Sequence, residues 1–133
     1  MPLEEIINRQ GIIISAPASG AGKTTVTLGL INAFARKRSV QPFKSGPDYI
    51  DSKFQSVAAD RPSYNLDTWA MSSRDILNMI GMVAPSDICI AEGSMGLFDG
   101  VISKGAGGNG STADLASITN WPVILVVDCA KQA

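Results

Sequence analysis

Seven consecutive residues, Ser19-Gly20-Ala21-Gly22-Lys23-Thr24-Thr25, carry the first recognisable chemistry in this chain. Gly20 and Gly22 let the backbone turn its N–H groups inward around phosphate oxygens. Lys23 is placed to reach a β or γ phosphate, and the Thr24 hydroxyl suits Mg²⁺. An apolar run, "GIIISA" (11–16), precedes the loop and a helical pattern follows it, which is the context such a loop needs. The common pattern G-x-x-x-x-G-K-[ST] has a glycine where this chain has Pro17, which costs one backbone donor. The phosphate-touching core is kept. A dinucleotide fingerprint, G-x-G-x-x-G, is absent from this loop, and the lysine argues for a triphosphate.

Two further segments bring acids. "FKSGPDYID" (43–51) offers Lys44 and the carboxylates Asp48 and Asp51. Two acids near a phosphate site imply a cation such as Mg²⁺ between them. The alternative reading makes Asp48 or Asp51 the N-cap of a helix over "SKFQSVAA". In "DICIAEGSMGLFDG" (87–100), Glu92 ends an apolar run at the position where a phosphate-loop protein keeps its Mg²⁺-holding acid. Asp128 ends another such run and competes for that role. Glu92 is preferred because Gly93 and Gly96 leave room for substrate. Asp99 follows in a glycine-flanked loop. Asp67 reads as a turn residue and Asp114 as a first-turn helix acid.

Composition narrows the chemistry. The chain of 133 residues has no histidine and a net charge of -1. Imidazole bases and Ser-His or Cys-His pairs are therefore excluded from it. The charge gives no footprint for nucleic acid, and Arg36-Lys37-Arg38 reads as the solvated end of a helix. No apolar stretch approaches the roughly 18 residues of a membrane span. The acidic start "MPLEEIINRQ" lacks the basic and apolar parts of a signal peptide, which implies a cytoplasmic protein. Cys89 and Cys129 read as small buried hydrophobes in a reducing compartment.

The elements that must position these residues alternate. Strands are expected at 11–16, 40–43, 87–92 and 122–128, and helices at 24–38, 75–84 and 111–119. Val26, Leu30, Ala33 and Phe34 supply the apolar face of the first helix. The proline in "VQPF" (40–43) weakens that strand. "KGAGGNG" (104–110) is either a substrate-covering loop or a plain connection. Apolar strands alternating with helices predict an α/β fold, a parallel sheet with helices on both faces, in one domain. Ligands of such sheets bind beyond the carboxyl ends of the strands.

The blocks "SGAGKTTVTLGL", "VQPFKSGPDYID", "RPSYNLD", "EGSMGLFDG", "GSTADLA" and "PVILVVD", in this order over residues 11–128, closely resemble the synthetase domain of the cobyrinic acid a,c-diamide synthase family. That family belongs with dethiobiotin synthetase among the P-loop NTPases. The resemblance implies that residues 1–133 are the N-terminal part of an ATP-binding synthetase domain, with the sheet incomplete at the C-terminus and a C-terminal glutamine amidotransferase domain absent. It implies this reaction: ATP phosphorylates the c and then the a acetate carboxylate of cobyrinate, and ammonia from glutamine displaces phosphate. On this chain it places ATP against Ser19, Gly20, Ala21, Gly22, Lys23, Thr24 and Thr25. It places Mg²⁺ near Thr24, Asp48 and Glu92. Lys23, Lys44, Asp48, Asp51 and Asp99 take catalytic roles, and Tyr49, Ile50, Ser111 and Thr112 touch the substrate. A homodimer is compatible with it, and the fragment alone is expected to be inactive.

One departure stands out: Phe54-Gln55 occupies a stretch where family members often carry a histidine. Ala18, where P-loop relatives that dimerise around ATP have an extra lysine, is what the resemblance to this synthetase family implies. The alternatives are the same amidation on a nickel sirohydrochlorin, or a partitioning or switch ATPase.

Overall fold

The computed structural model describes residues 9–132, so most of the acidic N-terminal segment lies outside it. The chain forms β1 (Gly11–Ser15), α1 (Lys23–Ala35), β2 (Val40–Ser45), α2 (Ile50–Ala59) and β3 (Tyr64–Leu66), followed by α3 (Ser73–Met82), β4 (Ile88–Glu92), α4 (Thr112–Thr119) and β5 (Val123–Leu125). The strands make one sheet in the order β3-β2-β4-β1-β5, with every pair parallel.

Handedness then decides where the helices go. The chain steps in one direction from β1 to β2 to β3, and in the opposite direction from β3 to β4 to β5. Crossovers between parallel strands are right-handed, so the two directions place their helices on opposite faces. The core divides accordingly. Ile14, Ile31, Val40, Ala59 and Ile90 form one apolar cluster, under α1 and α2. Ile13, Phe43, Leu66, Ile76, Ile80 and Leu115 anchor the other, under α3 and α4. Adjacent Ile13 and Ile14 point to opposite clusters, as do Cys89 and Ile90, which is the period of two expected of strands buried on both faces. The predicted α/β architecture is therefore present.

Several boundaries and faces differ from expectation. α1 stops at Ala35 because the N–H groups of Lys37 and Arg38 both turn back to Phe34 O, leaving the basic run in solvent. Its buried side is Thr27 and Ile31, while Val26, Ala33 and Phe34 are exposed. α3 starts at Ser73 because Ser72 and Asp75 form a reciprocal capping box. β2 runs on to Ser45 despite Pro42. Gln41 Nε2 donates to Pro42 O and Pro62 O at 2.9 Å each, substituting for strand pairing just before β3 begins. β5 ends at Leu125 because β1, its neighbour, gives way to the phosphate loop at Ala16; Val126 N to Ser15 O is the closing bond. Cys89 is buried as expected, but Cys129 lies beyond β5 and is exposed. β3 was absent from the expected elements, and α2 answers to the alternative reading of Asp48 or Asp51 as an N-cap.

Candidate active site

The phosphate loop leaves β1 and enters α1 through Gly22, which has φ +90°; Gly20 has φ +82°. A Cβ at either would meet nothing within 4 Å, so the requirement for glycine is conformational. No side chain caps the start of α1, and its first-turn N–H groups stay available to an anion. Lys23, the first helical residue, donates to Met95 O at 3.0 Å, and Met95 holds a left-handed backbone at φ +47°. Burial and then the neighbouring Lys44 charge lower the Lys23 pKa. Ser19 and Gly20 are exposed, as is Thr25, so the loop is open to a ligand.

Beneath the loop lies a buried charged cluster. In β4, Glu92 shares the parity of Ile90 and therefore faces α1 and α2; Lys44 in β2 is its register partner. Glu92 is 0% exposed and Lys44 3%. Thr24 Oγ1 donates to Glu92 Oε1 at 2.7 Å, and Gln55 Nε2 donates to Oε2 at 2.8 Å. Lys44 Nζ donates to Gly93 O at 3.0 Å and lies 3.9 Å from Glu92 Oε1 and 3.8 Å from Asp51 Oδ2. A buried charge persists only when so compensated. Thr24, Lys44, Asp51 and Glu92 are thus brought together. Asp128 is not among Thr24's hydrogen-bond partners; its carboxylate accepts from Ala130 N in an exposed turn.

Asp48 stands at the edge of this cluster. Its Oδ1 accepts from Ile50 N at 2.9 Å and Asp51 N at 3.2 Å, holding the first turn of α2. Asn65 Nδ2 donates to Gly46 O and Asp48 O at 2.7 Å each and locks the loop from β3. Burial works to raise the Asp48 pKa, but the Asp51 and Ile50 N–H groups outweigh it and the carboxyl sits below its ordinary value. Asp51 moves the other way: burial, then the Glu92 and Asp48 charges, raise it.

Alongside runs a cleft of about 690 Å³, lined among others by Trp69, Met95, Phe98, Asp99 and Val101. Its apolar wall is open to solvent, with Phe98 78% exposed. Asp99 points its Oδ2 at Gly96 N (2.9 Å), so it also shapes the loop that carries it. Tyr49 and Ile50 stand in solvent at the start of α2, outside the residues lining this cleft. Ser111 and Thr112 are buried. Ser111 Oγ caps α4 through Asp114 N, and Thr112 Oγ1 reaches Ser94 O. A Cβ on Gly93 would come within 2.5 Å of Thr112 Oγ1, so that glycine lets β4 run against α4. The segment 104–110 is tied to its neighbours: Ala106 N donates to Trp69 O, Gly107 N to Thr68 O and Asn109 N to Asp114 Oδ2. Asp67 accepts from Trp69 N and Ala70 N as a turn residue does.

Asn65, Trp69 and the Met95 carbonyl are not singled out by the sequence, and Gln55 only as a departure from the family's pattern. A signal existed for Gln55. Ser52, Gln55 and Ala59 recur at helical spacing, and they are the buried face of α2. Among the described residues, no group of three or more Cys, Asp or Glu side chains is arranged to hold a metal alone. Nor is any helix of the described residues long and apolar enough to cross a membrane.

Residues 12–120 match the family described as the CobQ/CobB/MinD/ParA nucleotide binding domain. Among curated proteins, the chain is 50% identical over 124 residues to the hydrogenobyrinate a,c-diamide synthase of Rhodobacter capsulatus, 92% of this chain and 28% of that protein. The synthases of the same name from Brucella ovis and Rhizobium meliloti are 49% and 48% identical over 127 and 123 residues. These alignments cover 93% and 91% of this chain and 28% of each relative. The chain therefore spans about 28% of the length of the curated relatives it matches. No solved structure matches it.

Proposed function

The chain belongs to the CobQ/CobB/MinD/ParA nucleotide-binding domain family, and on that premise we propose that it is the ATP-binding part of a tetrapyrrole a,c-diamide synthase. The substrate is cobyrinate or its relative hydrogenobyrinate, the acid in the names of the similar proteins. The reaction is phosphorylation of an acetate carboxylate followed by displacement of phosphate by ammonia. The carrying observation is the Thr24–Glu92–Lys44–Asp51 cluster beneath the phosphate loop, with Glu92 and Lys44 buried and Thr24 and Asp51 half-buried.

The residues fit Mg-ATP. Thr24 Oγ1 and the Glu92 carboxylate are hard oxygen donors already in contact, and Asp48 keeps one oxygen outside the α2 cap. A sparse protein shell suits Mg²⁺, which keeps waters and takes phosphate oxygens instead of filling an all-protein cage. Bound there, Mg²⁺ would neutralise phosphate charge. Lys23 and the glycine backbone hold the triphosphate. Lys44, fixed by Gly93 O, supports the charge that develops on the migrating phosphoryl group. Asp51, its pKa raised, and Asp99 serve the acyl phosphate and the incoming ammonia. The open apolar wall of Trp69, Met95 and Phe98 suits the flat face of a macrocycle. Tyr49 and Ile50, exposed at the start of α2 outside that cleft, would meet the substrate's periphery. Ser111 and Thr112 act by fixing the start of α4 behind the cleft.

Ammonia comes from a glutamine amidotransferase unit. A histidine-free chain cannot supply the Cys-His pair of a glutaminase itself. The setting for this biosynthesis is the cytoplasm.

Two measurements test the reading. Calorimetry on this chain should show ATP binding strengthened by Mg²⁺. A chimera carrying this segment in place of the matching segment of the Rhodobacter relative should convert hydrogenobyrinate to its diamide with Mg-ATP and ammonia. A chimera that binds Mg-ATP but amidates no tetrapyrrole acid overturns the substrate assignment.

A further inference from the structure

Gln55 is 0% exposed, yet it is the middle of a directional chain of polar contacts. Its Nε2 donates to Glu92 Oε2 at 2.8 Å. Its Oε1 accepts from Ser63 Oγ at 2.9 Å, and Ser63 is held in turn by its N–H on Ser56 Oγ at 2.8 Å. The two ends of the amide are therefore not interchangeable. Turned over, the amide would set its oxygen against the carboxylate and its NH₂ against the serine hydroxyl. The acceptor-only Glu92 carboxylate thus fixes which end of Gln55 meets it, and the Ser63 hydroxyl, in the connection before β3, takes the other end.

The effect on Glu92 is to distinguish its two oxygens. Oε2 is occupied by Gln55. Oε1 is the oxygen facing Thr24 and the Lys44 ammonium. A free carboxylate on a strand end rotates about its terminal torsion, which has broad wells. One held at Oε2 presents Oε1 in a fixed direction. Outer partners of this kind orient metal-ligating carboxylates, and their loss typically weakens metal binding by about 10–100-fold.

Resting on the proposed Mg-ATP site, we infer that Gln55 is a positioning residue that fixes the Glu92 carboxylate so that Oε1 is directed to the cation beside Thr24. Gln55 touches neither nucleotide nor substrate. It acts through Glu92, and Ser63 acts through Gln55.

The test separates metal-dependent from metal-free nucleotide binding. ATP affinity is measured by calorimetry on the unaltered chain, on Gln55→Met, which keeps the length without a donor, and on Gln55→Asn, which keeps the amide without the reach. Each is measured once with Mg²⁺ and once with a chelator, with thermal unfolding as a check on folding; if the methionine variant does not fold, the asparagine variant carries the test. The expected result is a loss of about tenfold or more with Mg²⁺ and unchanged affinity with the chelator. Equal losses under both conditions would show that Gln55 is merely filling the interior, and overturn the inference. So would full Mg²⁺ dependence in both variants, which leaves the proposed function standing. An unaltered chain indifferent to Mg²⁺ would instead remove the proposed function and this inference with it.

Discussion

Lys44 and Glu92 are register partners on adjacent parallel strands, and their charged ends meet with Nζ 3.9 Å from Oε1 at a depth closed to solvent. Each compensates the burial of the other. Lys44→Met removes a cation from a buried carboxylate and should destabilise the chain by about 3 kcal/mol or more. Glu92→Gln should also destabilise it. The double variant should lose less than the sum of the two, by roughly 1–3 kcal/mol, because the second change removes the charge that the first stranded. Urea unfolding of the four proteins measures this. Strict additivity would show that the contact carries no coupling energy.

Gly22 and Gly29 both have open space where a Cβ would stand, yet alanine should act in opposite directions at the two. Gly29 lies inside α1 with ordinary helical backbone. Gly29→Ala should raise stability by about 0.5–1 kcal/mol, since glycine is the more flexible residue in the unfolded chain. Gly22 has φ +90°, so Gly22→Ala should lower stability and distort the phosphate loop. Thermal unfolding and ATP titration of both variants check the pair. A Gly22→Ala chain with unchanged stability and affinity would show that the loop tolerates another backbone.

Much of this arrangement was legible from local signals. The glycines and lysine of the loop, the apolar strands and the acids at their ends follow from period and position. α2 was legible only as an alternative reading of the acids Asp48 and Asp51, because its apolar pattern is inverted. Ile50, Phe54 and Val57, at helical spacing, are 72%, 58% and 82% exposed, while Ser52 and Gln55 are buried against the site. A rule that sends the apolar stripe inward places the wrong face there. β3 was missed because three residues pairing only with β2 carry no periodicity of their own. The wrong face assigned to α1 has a similar origin. Thr27 lies inside because its hydroxyl is satisfied by Lys23 O at 2.8 Å, an option that hydrophobicity alone does not reveal.

Two surface aspartates should make stability depend on acid pH. Hydrogen bonds from the Ser72 hydroxyl and N–H lower the Asp75 pKa, and those from the Ser39 N–H and hydroxyl lower that of Asp87. Each group is more acidic folded than unfolded. Between those two values the unfolded chain binds more protons, so stability rises with pH. Both contributions are fully present above the ordinary aspartate value and fade as pH falls through the lowered folded values. Asp75→Asn and Asp87→Asn should therefore lower the melting temperature at neutral pH, and the gap should narrow in acid. A gap that stays constant across the range would assign the loss to packing instead of charge.

Asp99 combines a structural contact with a place in the cleft, and two substitutions separate them. Its Oδ2 accepts from Gly96 N, and Asp99 N donates back to Gly96 O at 3.1 Å, closing the turn that faces the phosphate loop. Leu97 N reaches Ala16 O, so this turn is joined to the end of β1. Asp99→Asn keeps an oxygen acceptor for Gly96 but removes the charge, whereas Asp99→Ala removes both. If the carboxylate handles the incoming ammonia, both variants should lose amidation in the chimera by about 100-fold or more while retaining ATP affinity. Full activity in Asp99→Asn with loss in Asp99→Ala would reduce Asp99 to a turn-closing acceptor. Parallel loss of ATP affinity in both would mean that the turn governs the phosphate loop itself.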